Sequence, residues 1–343
     1  MTTDTTPAFD IVLESHRPDR AAPPSRFLGV APVPLGALAA GQVRVRNDFI
    51  QLTAVMADLM KKDPGLPMPS YEIGEPLWGG AVGTVVESNA DNLPVGTVVT
   101  HMQGWRTHAT GDAGTFWPVP VETLPRAEYA LNQGVTAYHG VVDVARVTEN
   151  DTVFVSGAAG GVGSLAGQVA KAIGAKRVIG SAGTQQKVDY LVNELGFDAA
   201  FNYRDGDLQG QLARLAPKGI SVFFDTVGGD QFEAAVQAAA PGARFALCGA
   251  LAGQIGTGNG GRPRLDIMTS IVKQLQILPF STYHTPEQMA AWNEHYGLWL
   301  SQGKIVFSHT LLDLSIADVP AALDRLLAGE FRGNVIIRLN SQP

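Results

Sequence analysis

The sequence predicts an α/β protein in which a doubly wound parallel sheet is combined with a second, mostly β domain. Between residues 133 and 299, short apolar runs alternate with amphipathic helical segments, as in a parallel sheet covered by helices on both faces. The first of these runs, residues 153–155, is followed by a glycine-rich turn and by apolar residues at helical spacing. From residue 41 to about residue 100, alternation interrupted by Gly and Pro indicates β-strands instead.

Six segments have the length and composition of buried parallel strands, enough for two βαβαβ halves. They are residues 153–155, 178–180, 199–201, 222–225, 245–248 and 276–279. In the first half of the chain, the strand-like segments are residues 43–46, 83–87 and 96–99. Residues 335–339 return to strand character, and we place them back in the first domain. The glycine-rich segment 253–261 follows a strand and is interpreted as a mobile cover over a ligand or as disorder.

A tight glycine turn joins the first strand of the parallel sheet to the helix after it. Gly157 permits the turn, Gly160 lets the backbone approach a phosphate, and Gly163 lets the helix pack close to the strand. The helix then directs free N–H groups and the positive end of its dipole at the anion. The strand before the turn and the helix after it are the context that this motif requires. The predicted dinucleotide site consists of Gly157, Ala159, Gly160, Gly161, Val162 and Gly163.

The residues after the second strand indicate which dinucleotide binds. Where an NAD-dependent enzyme carries a carboxylate for the ribose hydroxyls, this chain has Ser181, Ala182 and Gly183, so nothing there repels a phosphate. Lys187 follows at the start of the next helix and Tyr203 follows the third strand, and both can hydrogen-bond to a 2′-phosphate. We predict NADPH rather than NADH, with all of these residues except Ala182 in the site. The alternative for Lys187 is a solvated lysine in a first helical turn.

Composition and charge exclude several classes of protein. The 343 residues are 45% hydrophobic and 17% charged, which suggests two ordinary globular domains. No apolar run approaches the ~20 residues of a membrane span, and the first residues lack the pattern of a signal peptide, so we expect a cytoplasmic protein. A net charge of −7 favours neither a nucleic acid partner nor an anionic membrane surface. The expected partner is a small-molecule substrate.

The sequence offers few ligands for a metal ion. Cys248 is the single cysteine, which excludes an internal disulfide and a zinc site of several thiolates. It lies at the end of the fifth predicted strand and is interpreted as an inert, buried thiol. The seven histidines are scattered, and no pair has the spacing of a helical metal site. We therefore predict that no metal takes part.

Several short motifs run in order along the chain. They are GVTAY at 134–138, GAAGGVGS at 157–164, LGFD at 195–198, FNY at 201–203, FDTVGG at 224–229 and CGA at 248–250. With these motifs the chain resembles the zinc-independent medium-chain dehydrogenases/reductases, specifically the alkenal double-bond reductases related to prostaglandin reductase and curcumin reductase. The resemblance extends over residues 43–339.

The resemblance implies an architecture and an activity. It implies a GroES-like catalytic domain formed by residues 1–128 and completed by residues 306–343. Residues 129–305 would form a Rossmann-type domain, with NADPH bound in the cleft between the two domains. The implied reaction delivers hydride to the β-carbon of an α,β-unsaturated aldehyde or ketone, and the implied assembly is a homodimer. The zinc-dependent relatives carry a Gly-His-Glu motif where this chain has WGGAVG at 78–83, so the ligand histidine is missing and the sequence argues against a zinc alcohol dehydrogenase.

The chain departs from the family pattern at two places. The family commonly has a tyrosine near the nicotinamide ribose and the substrate oxygen, just after a Cys-Gly strand end. Here Cys248 and Gly249, which we count among the cofactor contacts, are followed by Gln254 in the tyrosine's place. A glutamine amide donates a hydrogen bond to an oxyanion but cannot deliver a proton. The second departure is TAVMA at residues 53–57, where the family often has Asp-Pro-Tyr-Met-Arg, and it suggests a reshaped pocket.

Three residues are candidates for catalysis, and one further residue is a candidate cofactor contact. The catalytic candidates are Gln254, Tyr138 and Tyr71. Tyr138 lies at the start of the helix that enters the cofactor domain, with packing as its alternative role. Tyr71 lies on a proline-rich loop, where it either gates substrate or forms a surface turn. Asn334 precedes the final strand, where it either approaches the nicotinamide or caps a turn.

Three functions therefore compete. The first is NADPH-dependent reduction of a conjugated C=C bond. The second retains NADPH but sends hydride to a quinone, to a carbonyl or to an unsaturated biosynthetic intermediate, which the reshaped pocket motivates. The third is a cofactor-binding protein with little turnover, which the missing tyrosine motivates.

Overall fold

The structure is a computed structural model that describes residues 8–66, 68–256 and 262–340. It divides into two compact units. The N-terminal unit comprises Met1–Leu131 and Thr310–Pro343, and the central unit comprises Asn132–His309. The divisions thus follow residues 131 and 309, where the sequence placed the domain boundaries after residues 128 and 305.

The central unit is built on a parallel sheet. Its strands are β8 (Thr152–Val155), β9 (Arg177–Ala182), β10 (Ala199–Asn202), β11 (Ile220–Asp225), β12 (Ala239–Leu247) and β13 (Gln276–Pro279). In the described part of the chain they form a six-stranded sheet in the order β10-β9-β8-β11-β12-β13, with every pair parallel. This is the order of a dinucleotide-binding sheet, in which two halves of three strands meet between β8 and β11. The predicted fold class is confirmed.

Helices cover this sheet as the sequence pattern predicted. They are α2 (Gly134–His139), α3 (Gly161–Ala172), α4 (Gln185–Asn193), α5 (Leu208–Leu215), α6 (Gly229–Ala238), α7 (Leu251–Gln254), α8 (Ile267–Lys273) and α9 (Pro286–Ser301). Local chemistry fixes where α9 starts, because Thr285 and Gln288 form a reciprocal capping box with Pro286 at the first position. The core beneath the helices includes Phe154, Phe223 and Phe245, which lie side by side in register on adjacent strands and are fully buried.

The N-terminal unit is mostly β. Its strands are β1 (Ala8–Leu13), β2 (Leu28–Val33), β3 (Gln42–Leu52), β4 (Ala81–Ser88), β5 (Val98–His101), β6 (His108–Asp112), β7 (Trp117–Pro118), β14 (His309–Leu314) and β15 (Asn334–Leu339). Its helices are α1 (Val55–Leu59) and α10 (Val319–Leu327). The order is β14-β15-β3-β4-β5-β7 with β6 on β3, so the C-terminal strand β15 pairs with β3. This pairing returns the end of the chain to the first domain, as predicted.

Two further predictions concerned the glycine-rich segment and the absence of a membrane span. Gly253 and Gln254, the first two residues of the glycine-rich segment, lie in the short helix α7, whereas residues 257–261 lie outside the described residues. No helix in the described ranges is long and apolar enough to span a bilayer. The cytoplasmic location stays a prediction.

Candidate active site

The glycine turn has a geometry that larger residues cannot adopt. Gly157 has φ +55°, and a Cβ on it would lie 2.6 Å from Thr226 Oγ1. A Cβ on Gly163 would lie 2.5 Å from the carbonyl oxygen of Gly157. Gly160 differs, because it is exposed and a Cβ there would meet only the Gly157 oxygen, at 3.3 Å. Gly160 is also the N-cap of α3, so the open space above it faces the helix N-terminus. This cradle fits the pyrophosphate of a dinucleotide.

A buried carboxylate beneath the turn holds it in place, and the sequence reasoning missed it. Asp225 Oδ1 accepts hydrogen bonds from Ser156 Oγ (2.6 Å) and from the backbone N–H groups of Val227 (2.9 Å) and Gly228 (2.8 Å). The Ser156 hydroxyl oxygen in turn accepts the N–H of Thr226. Burial raises the pKa of Asp225, and the three hydrogen bonds oppose that rise. Asp225 therefore ties the turn after β8 to the turn after β11.

The predicted 2′-phosphate residues lie close together at the ends of β9 and β10. A Cβ on Gly183 would lie 2.9 Å from the Tyr203 hydroxyl oxygen. Burial lowers the pKa of Lys187, and the nearby charge of Arg204 lowers it further. Arg204 lies with its guanidinium carbon 5.8 Å from the centre of the Tyr203 ring. Two neighbouring cations and a hydroxyl are the donor set that a phosphate monoester requires.

Arg204 was absent from the predicted site, although it directly follows Tyr203 in the sequence. A positive charge directly after a predicted phosphate-binding residue is the sequence signal from which Arg204 could have been predicted. Ser181 requires the opposite correction. Its side chain is fully buried in β9 and its hydroxyl donates to Gln231 Oε1, so that hydroxyl is used inside the protein. Gly183, the other residue predicted in this segment, is partly exposed, and its contact with the cofactor stays a prediction.

The turn after β12 differs in detail from its prediction. The strand ends at Leu247 rather than at Cys248, and Cys248 is partly exposed rather than buried. The N–H groups of Cys248 and Gly249 donate to the Asp225 carbonyl oxygen at 2.8 and 3.1 Å. Although part of the residue is exposed, the surrounding protein desolvates the Cys248 thiol and raises its pKa to about 12, and the Asp225 charge contributes. The thiol is therefore uncharged at neutral pH and is a poor nucleophile, in line with the inert role predicted for it.

Tyr138 packs its ring against other aromatic residues. Its ring centre lies 5.1 Å from that of His295, 6.0 Å from that of Trp292 and 6.1 Å from that of Trp299. All three partners belong to α9, so this contact fixes α2 against α9. These contacts are those of the alternative role, packing, and the catalytic role of Tyr138 stays a prediction.

Tyr71 is placed in the core of the N-terminal unit. It is 3% exposed, its hydroxyl donates to the Trp78 carbonyl oxygen at 2.8 Å, and its ring lies edge-on to Trp78. Burial raises its pKa far above the usual range for tyrosine. The sequence placed Tyr71 on a gating loop or a surface turn, and both interpretations were wrong. Proline-rich neighbours suggested exposure, but the aromatic ring is buried in the core.

Gln254 and Asn334 belong to different units. Gln254 ends α7, the short helix after the Cys248–Gly249 turn, and is partly exposed. Asn334 begins β15 and is 2% exposed, with its Oδ1 at 3.5 Å from Gln51 Nε2. Their roles in catalysis and cofactor binding stay predictions.

A polar cluster that was not predicted lies between α2 and the loop after β13. Thr136 Oγ1 is 2.8 Å from His284 Nε2, and the His139 ring centre lies 5.7 Å from that of His284. His139 Nδ1 is 2.7 Å from Asp143 Oδ2, and Gln288 Nε2 lies 3.1 Å from the same nitrogen. No sequence motif pointed to this cluster, because Thr136 and His284 are 148 residues apart.

The parallel sheet brings most of the predicted cofactor residues to one edge. The turns after β8, β9, β10, β11 and β12 all follow the carboxyl ends of parallel strands, where dinucleotides bind. Asn334 and Tyr71 belong to the N-terminal unit.

Within the described ranges, no group of three or more His, Cys, Asp or Glu side chains is placed to hold a metal ion. That no metal takes part stays a prediction. Fold and site together define a dinucleotide-binding oxidoreductase.

Comparisons with known proteins identify the family. The family described as "Zinc-binding dehydrogenase" matches residues 161–295, and "N-terminal domain of oxidoreductase" matches residues 11–119. Prostaglandin reductase 1 of Mus musculus is 35% identical over 87% of this chain and 89% of its own length. The 2-alkenal reductase (NADP(+)-dependent) of Nicotiana tabacum is 31% identical over 88% of each chain. The crystal structure of CurA from Vibrio vulnificus in complex with NADPH superposes with a TM-score of 0.87 at 29% identity, over 98% of this chain and 100% of that one.

The chain therefore belongs to the medium-chain dehydrogenase/reductase family, in the group that contains the alkenal, prostaglandin and curcumin reductases.

Proposed function

We propose that this protein is an NADPH-dependent reductase that transfers hydride to the C=C bond of an α,β-unsaturated ketone or aldehyde. The cluster of Gly183, Lys187, Tyr203 and Arg204 is the observation that carries the choice of NADPH. The named activities of the prostaglandin and 2-alkenal reductase relatives support the substrate class. When bound, NADPH supplies the hydride.

The residues of the chain bind and orient the cofactor. The backbone of residues 160–163 faces the pyrophosphate, with the N-terminus of α3 behind it. Lys187, Tyr203 and Arg204 hold the 2′-phosphate. Asp225 keeps the turns after β8, β11 and β12 in register, since its carboxylate and carbonyl oxygens accept from all three. We assign Gln254 a hydrogen bond to the substrate oxygen.

A panel of substrates tests this proposal. We expect purified protein with NADPH to convert enones to saturated ketones, with NADPH oxidation matched one to one by product. Formation of a quinol or an allylic alcohol, without the saturated ketone, would support hydride transfer to a quinone or a carbonyl instead. Cofactor binding in calorimetry with no oxidation across enones, quinones and aldehydes would support a binding protein with little turnover.

We further propose that the protein is a homodimer that pairs through the edge of the parallel sheet. In the described part of the chain, β13 is the last strand of the sheet and pairs with β12 alone. Next to it, α8 exposes Ile267, Met268, Ile271 and Val272, each between 58% and 74% exposed. An exposed strand edge beside an apolar helix is rare on a monomer. A second copy is the natural partner, because two copies of one edge strand pair about a twofold axis.

Introducing two charges on the apolar face of α8 tests the dimer. We expect Ile271→Glu with Val272→Glu to convert the wild-type dimer to a monomer in multi-angle light scattering, because two charges would be buried at the interface. Val95→Glu, at an exposed apolar position of the N-terminal unit, is the matched control and should remain dimeric. A wild-type monomer, or a dimeric α8 variant, would contradict the proposal.

A further inference from the structure

One ring nitrogen at the carboxyl edge of the parallel sheet has an unusual environment. His284 lies in the loop that leaves β13, and its Nε2 is 2.8 Å from Thr136 Oγ1 in the first turn of α2. The other ring nitrogen, Nδ1, is buried and has no hydrogen-bond partner among the described residues. Buried polar atoms without a partner are rare, and each one needs an explanation such as a ligand or a catalytic role. A ligand that hydrogen-bonds to Nδ1 is the explanation pursued below.

The charge and the tautomer of His284 determine what Nδ1 offers to a ligand. Burial lowers the pKa of His284, an interaction with the Gln288 side chain opposes this shift, and the charge of His139 adds to it, so the imidazole is neutral at pH 7 and carries one N–H. When the Thr136 hydroxyl donates to Nε2, the ring proton lies on Nδ1. His139 lies edge-on to the ring, and Asp143 and Gln288 hold His139 in turn. Thr136 and His139 therefore fix the orientation of a neutral N–H donor.

The topology of the sheet places this donor on the nicotinamide side. The half formed by β8, β9 and β10 carries the glycine turn and the 2′-phosphate residues, so it takes the pyrophosphate and the adenosine half. The half formed by β11, β12 and β13 is left for the nicotinamide. The loop with His284 begins at Phe280, whose N–H donates to the Leu247 carbonyl oxygen at the end of β12. His284 thus belongs to the half of the sheet where the hydride is transferred.

A neutral hydrogen-bond donor on the nicotinamide side can stabilise the charge that develops during hydride transfer. As hydride forms the new C–H bond at the β-carbon, the π electrons of the C=C bond move toward the carbonyl, and negative charge develops on its oxygen. A neutral imidazole N–H stabilises such an oxygen, as in triosephosphate isomerase, whose histidine is kept neutral. Tyr71 is buried in the core, the Tyr138 ring packs against α9, and Gln254 stands where the family has a tyrosine.

We propose that His284 donates a hydrogen bond to the developing oxyanion in addition to the one assigned to Gln254, with its Nδ1–H directed at the carbonyl oxygen of the enone, and that Thr136 is the residue that fixes its tautomer. The proton that completes the saturated product at the α-carbon comes from water in a separate step. This inference rests on the proposed function, since only an acceptor with a carbonyl oxygen develops this charge.

Kinetic variants test the role of His284. We expect His284→Ala to lower kcat by about 10²–10³-fold, the usual effect of removing one oxyanion donor, with the KM for NADPH unchanged. His284→Asn should regain part of the loss, because the asparagine side-chain N–H occupies the place of Nδ1–H. Tyr283→Phe is the matched control in the same loop and should keep wild-type kcat. Wild-type kcat in His284→Ala, or loss of kcat in Tyr283→Phe, would overturn the proposal.

A measurement without cofactor or turnover tests the tautomer directly. In ¹⁵N NMR of the wild-type protein, with His284 assigned by comparison with His284→Ala, Nδ1 should have the shift of a protonated nitrogen and Nε2 that of an unprotonated one. Thr136→Val should remove this preference. A proton on Nε2 in the wild type would disprove the inference and leave the proposed function intact. A wild-type enzyme that reduces no enone would instead refute the proposed function, whatever the tautomer.

Discussion

Gly160→Val is expected to weaken NADPH binding at least about 100-fold in a protein that folds as the wild type does. The backbone at Gly160 is extended, with φ −88° and ψ 178°, so a β-branched residue fits its conformation. The position is exposed, and its Cβ would meet only the Gly157 carbonyl oxygen, at 3.3 Å. The valine methyl groups would instead extend into the space where the pyrophosphate approaches the start of α3.

The expected loss is large because the phosphates are charged. Losing two hydrogen bonds to a charged group, at about 1.5 kcal/mol each, weakens binding by about 3 kcal/mol. Since 1.4 kcal/mol corresponds to a factor of ten, the Kd for NADPH should rise at least about 100-fold in calorimetry. The midpoint of thermal unfolding without cofactor should equal that of the wild type.

Two other glycines provide the controls. Gly163→Val should destabilise the protein itself, because its Cβ would lie 2.5 Å from a backbone oxygen in a buried turn. Gly114→Ala, where nothing lies within 4 Å of the added Cβ, should change neither stability nor affinity. If Gly160→Val bound NADPH with wild-type affinity, the pyrophosphate could not lie at this turn.

Removing the 2′-phosphate residues is expected to erase the preference for NADPH over NADH. Lys187→Ala, Arg204→Ala and Tyr203→Phe each delete one hydrogen-bond donor to the phosphate. A hydrogen bond to a charged group is worth about 1.5–3 kcal/mol, so each variant should raise the KM for NADPH about ten- to hundredfold. The KM for NADH should stay unchanged, because NADH carries no 2′-phosphate.

The proximity of Lys187 and Arg204 adds a prediction about salt dependence. Arg204 lowers the pKa of Lys187 in the protein without cofactor, and a phosphate between the two charges would remove that unfavourable interaction. The Arg204 and Lys187 effects should therefore both shrink as salt is raised, while Lys218→Ala, which removes an exposed lysine of the same unit, changes neither KM. Equal rises in the KM values for NADPH and NADH would show that these residues do not bind the 2′-phosphate.

The parallel sheet and its glycine turn were accessible from the sequence because their determinants are local. Apolar runs of three or four residues between helical patterns specify β8, β9 and β13, and each was predicted within two residues of its observed ends. The turn was recognisable because Gly157, Gly160 and Gly163 must stand at fixed spacings between a strand and a helix. The preference for NADPH was also predictable from a local feature, because residues 181–183 after β9 include no carboxylate.

Side-chain direction was beyond the reach of local patterns. Tyr71 follows prolines and was expected near the surface, yet its ring packs on Trp78 in the core. Tyr138 stands in a family motif, but the aromatic residues of α9, more than 150 residues later, decide where its ring lies. The direction of the Ser181 hydroxyl was likewise set by Gln231, on a helix that follows another strand.

The sequence by itself determined the alternation of strands and helices, the phosphate-binding turn and the family, because each of these depends on neighbouring residues or on motifs in a fixed order. Only the tertiary structure decided which side chains meet at the carboxyl edge of the sheet. Lys187 and Arg204 lie close together there because β9 and β10 are adjacent strands, and Thr136 reaches His284 because α2 meets the loop after β13. Such contacts form between residues far apart in the chain, where no spacing rule applies.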